Sequence, residues 1–133
     1  LKYIAKKRKP VLISKGASTI KELINAIKLL KKNNCHKISI LHCILNYPTK
    51  YEHTNLDMIP YLKKRFPKYF IGYSDHTIPD KNMMVVTSAW IKGAQIIEKH
   101  IILDRSKKGF DYYSSLEPDE FKLFVKKIFF RFL

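Results

Sequence analysis

The sequence predicts an α/β fold built from parallel βα repeats, and two observations carry that expectation. Four short apolar, β-rich runs, "VLIS", "KISILHC", "YFIGYS" and "QIIEKHI", alternate with stretches of helical periodicity. This strand-then-helix order is the signature of a parallel sheet, because parallel neighbours need a crossover between them. Polar residues also gather where each strand run gives way to its loop: Ser14; Asn46 and Tyr47; Ser74 and His76; His100, followed by Asp111. In parallel α/β folds that rim, the carboxyl end of the strands, is where sites are built.

The first strand, 11–14, leads into a helix whose start is marked by Thr19 and Glu22, spaced as a capping box. Ile20, Leu23, Ile24, Ile27 and Leu30 then repeat at helical spacing, with lysines on the other face. After the second strand, 37–43, a short helix is expected over 58–65. After the third, 69–74, one is expected over 81–92, ending at Gly93. The last helix starts at Pro118, which suits a first helical position, and Asp119 and Glu120 complement its positive end. Phe121, Phe124, Val125, Ile128 and Phe132 form its expected core face. Exposure of Phe129 or Phe130 would fit a neighbouring domain, and Trp90 is expected in the core.

Side chains alternate in direction along a strand, so Gly72, Ser74 and His76 share one face while Tyr73 and Asp75 share the other. Likewise Glu98 and His100 face together, with Lys99 opposite. His76 and His100, at corresponding ends of neighbouring strands, could offer two neutral imidazoles to one divalent ion. His42 and Cys43 point to opposite faces and cannot easily share an ion. Cys35 and Cys43 fit no metal or redox spacing and are expected as buried packing. Asp75 is expected to bond loop amides or a neighbouring strand; for Glu98 an inward-facing acid paired with a basic or metal-linked group is possible.

Composition frames these readings. The chain has 133 residues, 46% of them apolar and 13% aromatic, enough for one core. Its formal charge is +15, and "KKRK" at 6–9 is a compact basic cluster, yet most lysines fall on expected solvent faces of helices. Nucleic acid is therefore not the favoured partner; the same field suits a small polyanion. The start resembles the middle of a longer protein. No apolar run nears the roughly 20 residues of a membrane-crossing helix, so a soluble, cytoplasmic protein is expected.

"KPVLISKGAST", "ILHCILNYPTKYEHTNLDMIPYLKKRFPKYFIGYSDHT", "GAQIIEKHIILDR" and "SSLEPDEF" together resemble the N-acetylneuraminate (sialic acid) synthase family over nearly the whole chain. The resemblance implies condensation of phosphoenolpyruvate with N-acetylmannosamine or a related N-acetylated aminohexose, with a manganese or magnesium ion and release of phosphate. It implies the second half, strands five to eight, of a TIM (β/α)8 barrel, residues 1–133 being a partial catalytic domain. The N-terminal half-barrel and the family's antifreeze-like domain are then absent. It further implies a homodimer when intact.

By the same resemblance His76 and His100 correspond to metal ligands, Ser14 and Ser74 to contacts with phosphoenolpyruvate, and Tyr47 and Asp111 to contacts with the amino sugar. Leu45, Lys15, Phe110 and Tyr112 depart from the family pattern. Leu45 removes a hydrogen-bonding group that Asn46 could replace. No general acid or base is assigned within these residues. The competing expectation is a noncatalytic remnant, or a basic nucleic-acid-binding protein, that keeps the scaffold.

Overall fold

The computed structural model describes residues 1–129. Four strands, β1 (Val11–Ser14), β2 (Ile38–His42), β3 (Phe70–Asp75) and β4 (Ile96–Lys99), lie side by side in the order β1-β2-β3-β4. Every pairing is parallel, with Ser14 beside Leu41, Leu41 beside Gly72, and Ser74 beside Glu98. The sheet curls into a half-barrel.

The helices are α1 (Lys2–Lys6), α2 (Ile20–Lys32), α3 (Met58–Arg65), α4 (Met84–Ile91) and α5 (Pro118–Phe129). Helix α2 carries the expected capping box: the Glu22 amide donates to Thr19 Oγ1 at 3.2 Å, and the Thr19 amide donates to Glu22 Oε2 at 2.8 Å. Leu23, Ile27 and Leu30 bury the face so oriented. They meet Ile38, Ile40, Ile59, Leu62 and Ile71 in the main core, where apolar area leaves water. Helix α1 has no counterpart in the sequence expectation; its five residues are anchored by one buried side chain, Ala5.

Helix α4 starts later than the expected 81–92. The Asp80 carboxylate accepts from the amides of Asn82, at 2.7 Å, and Met84, at 3.0 Å, and Met83 sits at φ +51°, so 81–83 form a turn instead. Helix α5 starts at Pro118 as expected and buries Phe124 and Ile128 against Met83, Val86 and Leu116, with Trp90 and Val125 partly buried beside them. Phe121 departs from the expected core face: it is 43% exposed. The expectations for the Phe129, Phe130 and Phe132 side chains lie outside what is described. No helix among the described residues is long and apolar enough to cross a membrane.

Candidate functional site

The carboxyl ends of the strands surround a cavity of about 410 Å3, lined among others by Ser14, Tyr47, Ser74, His76, Glu98 and His100. Strand alternation decides which residues reach it. On one face of β3 and β4, the Ser74 hydroxyl donates to Glu98 Oε1 at 2.6 Å, and His76 follows on the same side. On the opposite face Asp75 accepts from Tyr73 Oη at 3.2 Å, from the Thr77 amide at 3.1 Å and from Lys99 Nζ at 2.7 Å. Asp75 therefore has the structural task expected of it: it ties the end of β3 to its loop and to β4.

His76 is held from both sides. Its Nδ1 lies 2.7 Å from the Ile44 carbonyl oxygen, which can only accept, so Nδ1 carries the proton. That leaves Nε2 with a lone pair. Ser74 Oγ is 3.3 Å from Nε2, but its single proton goes to the shorter bond with the Glu98 carboxylate. Burial lowers the His76 pKa, the bond to the Ile44 carbonyl opposes this, and the neighbouring His100 lowers it further. The neutral imidazole is the result.

The His100 ring stands edge-on to His76, with centroids 5.4 Å apart, and the Tyr47 ring lies 4.2 Å from His76 and 5.8 Å from His100. Burial raises the Tyr47 pKa, and so do Cys43 and Asp111. His100 itself lies one residue beyond the end of β4. Two adjacent imidazoles, one with an unclaimed Nε2 lone pair, fit a divalent ion as nitrogen ligands. Among the described residues no group of three or more His, Cys, Asp or Glu converges to hold one, so the described residues offer two nitrogen donors and not a full ligand set.

The remaining expected site residues divide. Ser14 lines the cavity. Asp111 stands at its edge, with Oδ2 3.7 Å from His100 Nδ1. Asn46 is exposed and is not among the lining residues; its carbonyl accepts from Thr49 Oγ1 at 2.8 Å. Leu45 lines the cavity and is 63% exposed, so no polar group stands at that position, and Lys15 also belongs to the lining. Cys43 lies against the cavity wall near Gly16. His42 points the other way, its Nε2 donating to the Thr54 carbonyl at 2.8 Å, which separates it from Cys43.

Two contributors were not assigned from sequence. Glu98 accepts the hydrogen bond from the Ser74 hydroxyl; strand parity already placed it on the His100 face, but not beside Ser74. Ser114, fully buried, donates from Oγ to the His76 carbonyl at 2.8 Å. Nothing in "SSLEPDEF" separates it from Ser115.

An uncharacterised protein of Methanocaldococcus jannaschii is 43% identical over 128 residues, covering 96% of this chain and 37% of that protein. The N,N'-diacetyllegionaminic acid synthase of Campylobacter jejuni is 38% identical over 130 residues, covering 96% of this chain and 38% of that enzyme. The crystal structure of an N-acetylneuraminic acid (sialic acid) synthetase from Leptospira borgpetersenii, in complex with citrate, superposes with a TM-score of 0.87 at 32% identity. That match covers 96% of this chain and 43% of that one. The chain thus spans well under half the length of these proteins. The model of the NeuB family matches residues 1–130, nearly the whole sequence, and the chain belongs to that family.

Proposed function

We propose that the chain is the carboxyl-side half, strands five to eight, of the catalytic barrel of a sugar-acid synthase. The intact enzyme condenses phosphoenolpyruvate with N-acetylmannosamine or a related N-acetylated aldose and releases phosphate. The observation that carries this reading is the pair His76 and His100, rings 5.4 Å apart at the ends of neighbouring strands and facing one cavity. Membership in the NeuB family and the sialic and legionaminic acid synthases among its relatives support it. The unmatched length of those relatives leaves room for a first half-barrel and a further domain.

His76 and His100 would hold a manganese or magnesium ion, which supplies Lewis acidity toward a carbonyl oxygen when bound. Ser14 and Ser74 offer hydroxyls to the oxygens of phosphoenolpyruvate. Ser74 donates to Glu98 Oε1 at 2.6 Å, and contact with phosphoenolpyruvate would turn that proton from the carboxylate to a substrate oxygen. Tyr47 and Asp111 offer a phenol and a carboxylate to sugar hydroxyls. His76, with its Nδ1 proton held by the Ile44 carbonyl, presents the Nε2 lone pair to the ion, and with the ion bound there neither histidine need act as a base.

The test is phosphate release by the full-length protein given phosphoenolpyruvate, an N-acetylated aminohexose and manganese. Release that requires all three is expected, with loss of at least a hundredfold in the His76→Ala, His100→Ala double variant. Full activity in that variant overturns the metal assignment. Absence of release with every aldose tried points to a noncatalytic scaffold instead.

A further inference from the structure

We infer that the segment Asp111–Leu116 is a clamp that sets the separation of the two imidazoles, with the buried Ser114 hydroxyl as its positioning residue. The inference rests on reading His76 and His100 as ligands of one ion.

The clamp grips the backbone of both histidines. Ser114 Oγ donates to the His76 carbonyl at 2.8 Å, and the Leu116 amide donates to the His100 carbonyl at 2.8 Å. Two residues of one short segment thereby bridge the ends of two neighbouring strands just where the strand ladder stops, since β3 and β4 end at Asp75 and Lys99. The His76 carbonyl also accepts the Thr49 amide at 2.8 Å, which joins the loop carrying Tyr47 to the same point. Both of its lone pairs are then used, and Ser114 is 0% exposed. No water can replace the lost donor without new space.

The segment's inner geometry is equally constrained. The Asp111 carbonyl accepts from the Ser114 amide and from Ser115 Oγ, both at 3.0 Å, while Asp111 itself sits at φ +54°. That left-handed conformation is uncommon for a residue with a side chain, and the two bonds hold it. They leave Asp111 Oδ2 3.7 Å from His100 Nδ1. One segment therefore fixes the His76 strand end, the His100 strand end and the carboxylate beside His100. Partners that hold a ligating side chain directly change metal affinity by roughly 10- to 100-fold when removed; Ser114 acts one step further out, through the His76 backbone, so its effect is expected at the low end.

The test is Ser114→Ala in the full-length protein, with Ser114→Thr as the variant that keeps the hydroxyl. Two readouts are taken: manganese affinity by calorimetry, and the proton cross-peak between the His76 and His100 rings in the metal-free protein. Alanine is expected to weaken manganese binding about tenfold and to weaken the cross-peak, with threonine restoring both in part. Unchanged affinity and an unchanged cross-peak overturn the inference. If the wild-type protein binds no manganese, the metal reading fails, and the cross-peak alone decides: its loss in Ser114→Ala supports the clamp and its persistence overturns it. Should the alanine variant not fold, Ser114→Cys is read the same way.

Discussion

Lys99 Nζ lies 2.7 Å from Asp75 Oδ2, with the two side chains 3% and 2% exposed, on the face of the sheet opposite the Ser74–Glu98 hydrogen bond. The ammonium also donates to the Thr77 carbonyl. Burial lowers the Lys99 pKa and Asp75 pulls it back up. A buried pair of this kind adds little over apolar packing, but breaking one half leaves an uncompensated charge, at about 3–5 kcal/mol.

Lys99→Met is accordingly expected to lose about 3 kcal/mol or more of unfolding free energy in urea titrations. Adding Asp75→Asn should recover part of it, because the amide oxygen still accepts from Thr77 while the stranded charge is gone. A loss below about 1 kcal/mol for Lys99→Met alone would show that the pair is not closed to water.

Gly72 stands at the centre of the sheet, where an added Cβ would come within 2.3 Å of Leu41 Cδ2 and 2.6 Å of the Ile96 carbonyl oxygen. The backbone carbonyl cannot step aside without disturbing the β3–β4 ladder. Gly72→Ala should destabilise by about 1–3 kcal/mol or more. A wild-type denaturation midpoint in that variant would contradict the close approach of these strands.

His42 supplies a pH dependence whose sign is fixed. Burial lowers its pKa, with the Thr54 carbonyl opposing and Lys15 adding to the fall. The unfolded chain therefore takes up this proton first as pH drops, and stability falls with acidification from about pH 6.5 downward until the folded pKa is passed. Above that window the contribution is constant. His42→Gln, which can still donate to Thr54, should flatten the melting midpoint between about pH 7 and pH 5 relative to wild type. An equal slope in both proteins would remove His42 as its source.

What could be read from sequence follows from where the chain is periodic. The twofold alternation of β3 and β4 separates Ser74 and His76 from Asp75, and Glu98 from Lys99, without reference to anything distant. The Thr19–Glu22 box is legible because its partners are three residues apart. Contacts made by irregular segments have no such period. The αL turn at Met83, which delays α4, depends on how Asp80 folds back, and the Ser114 bond to His76 spans 38 residues. Asn46, expected at the site by adjacency to Leu45, instead sits on a turn closed by Thr49. Phe121 keeps the helical period of α5 yet reaches beyond the layer it was expected to enter.

Tyr47 allows its ring and its hydroxyl to be separated. The ring lies 4.2 Å from the His76 ring and 5.8 Å from that of His100, so it walls both imidazoles, whereas the hydroxyl is the group proposed to meet a sugar. Tyr47→Phe keeps the wall and removes one hydrogen bond, which is worth about 0.5–1.5 kcal/mol. If the full-length protein has the proposed activity, the substitution should raise KM for the aldose by roughly three- to tenfold while manganese affinity stays at the wild-type value. Tyr47→Ala removes the wall as well and should weaken manganese binding together with aldose binding. If phenylalanine leaves the aldose KM unchanged, the hydroxyl has no part in sugar recognition; if alanine leaves manganese affinity unchanged, the ring does not support the imidazoles.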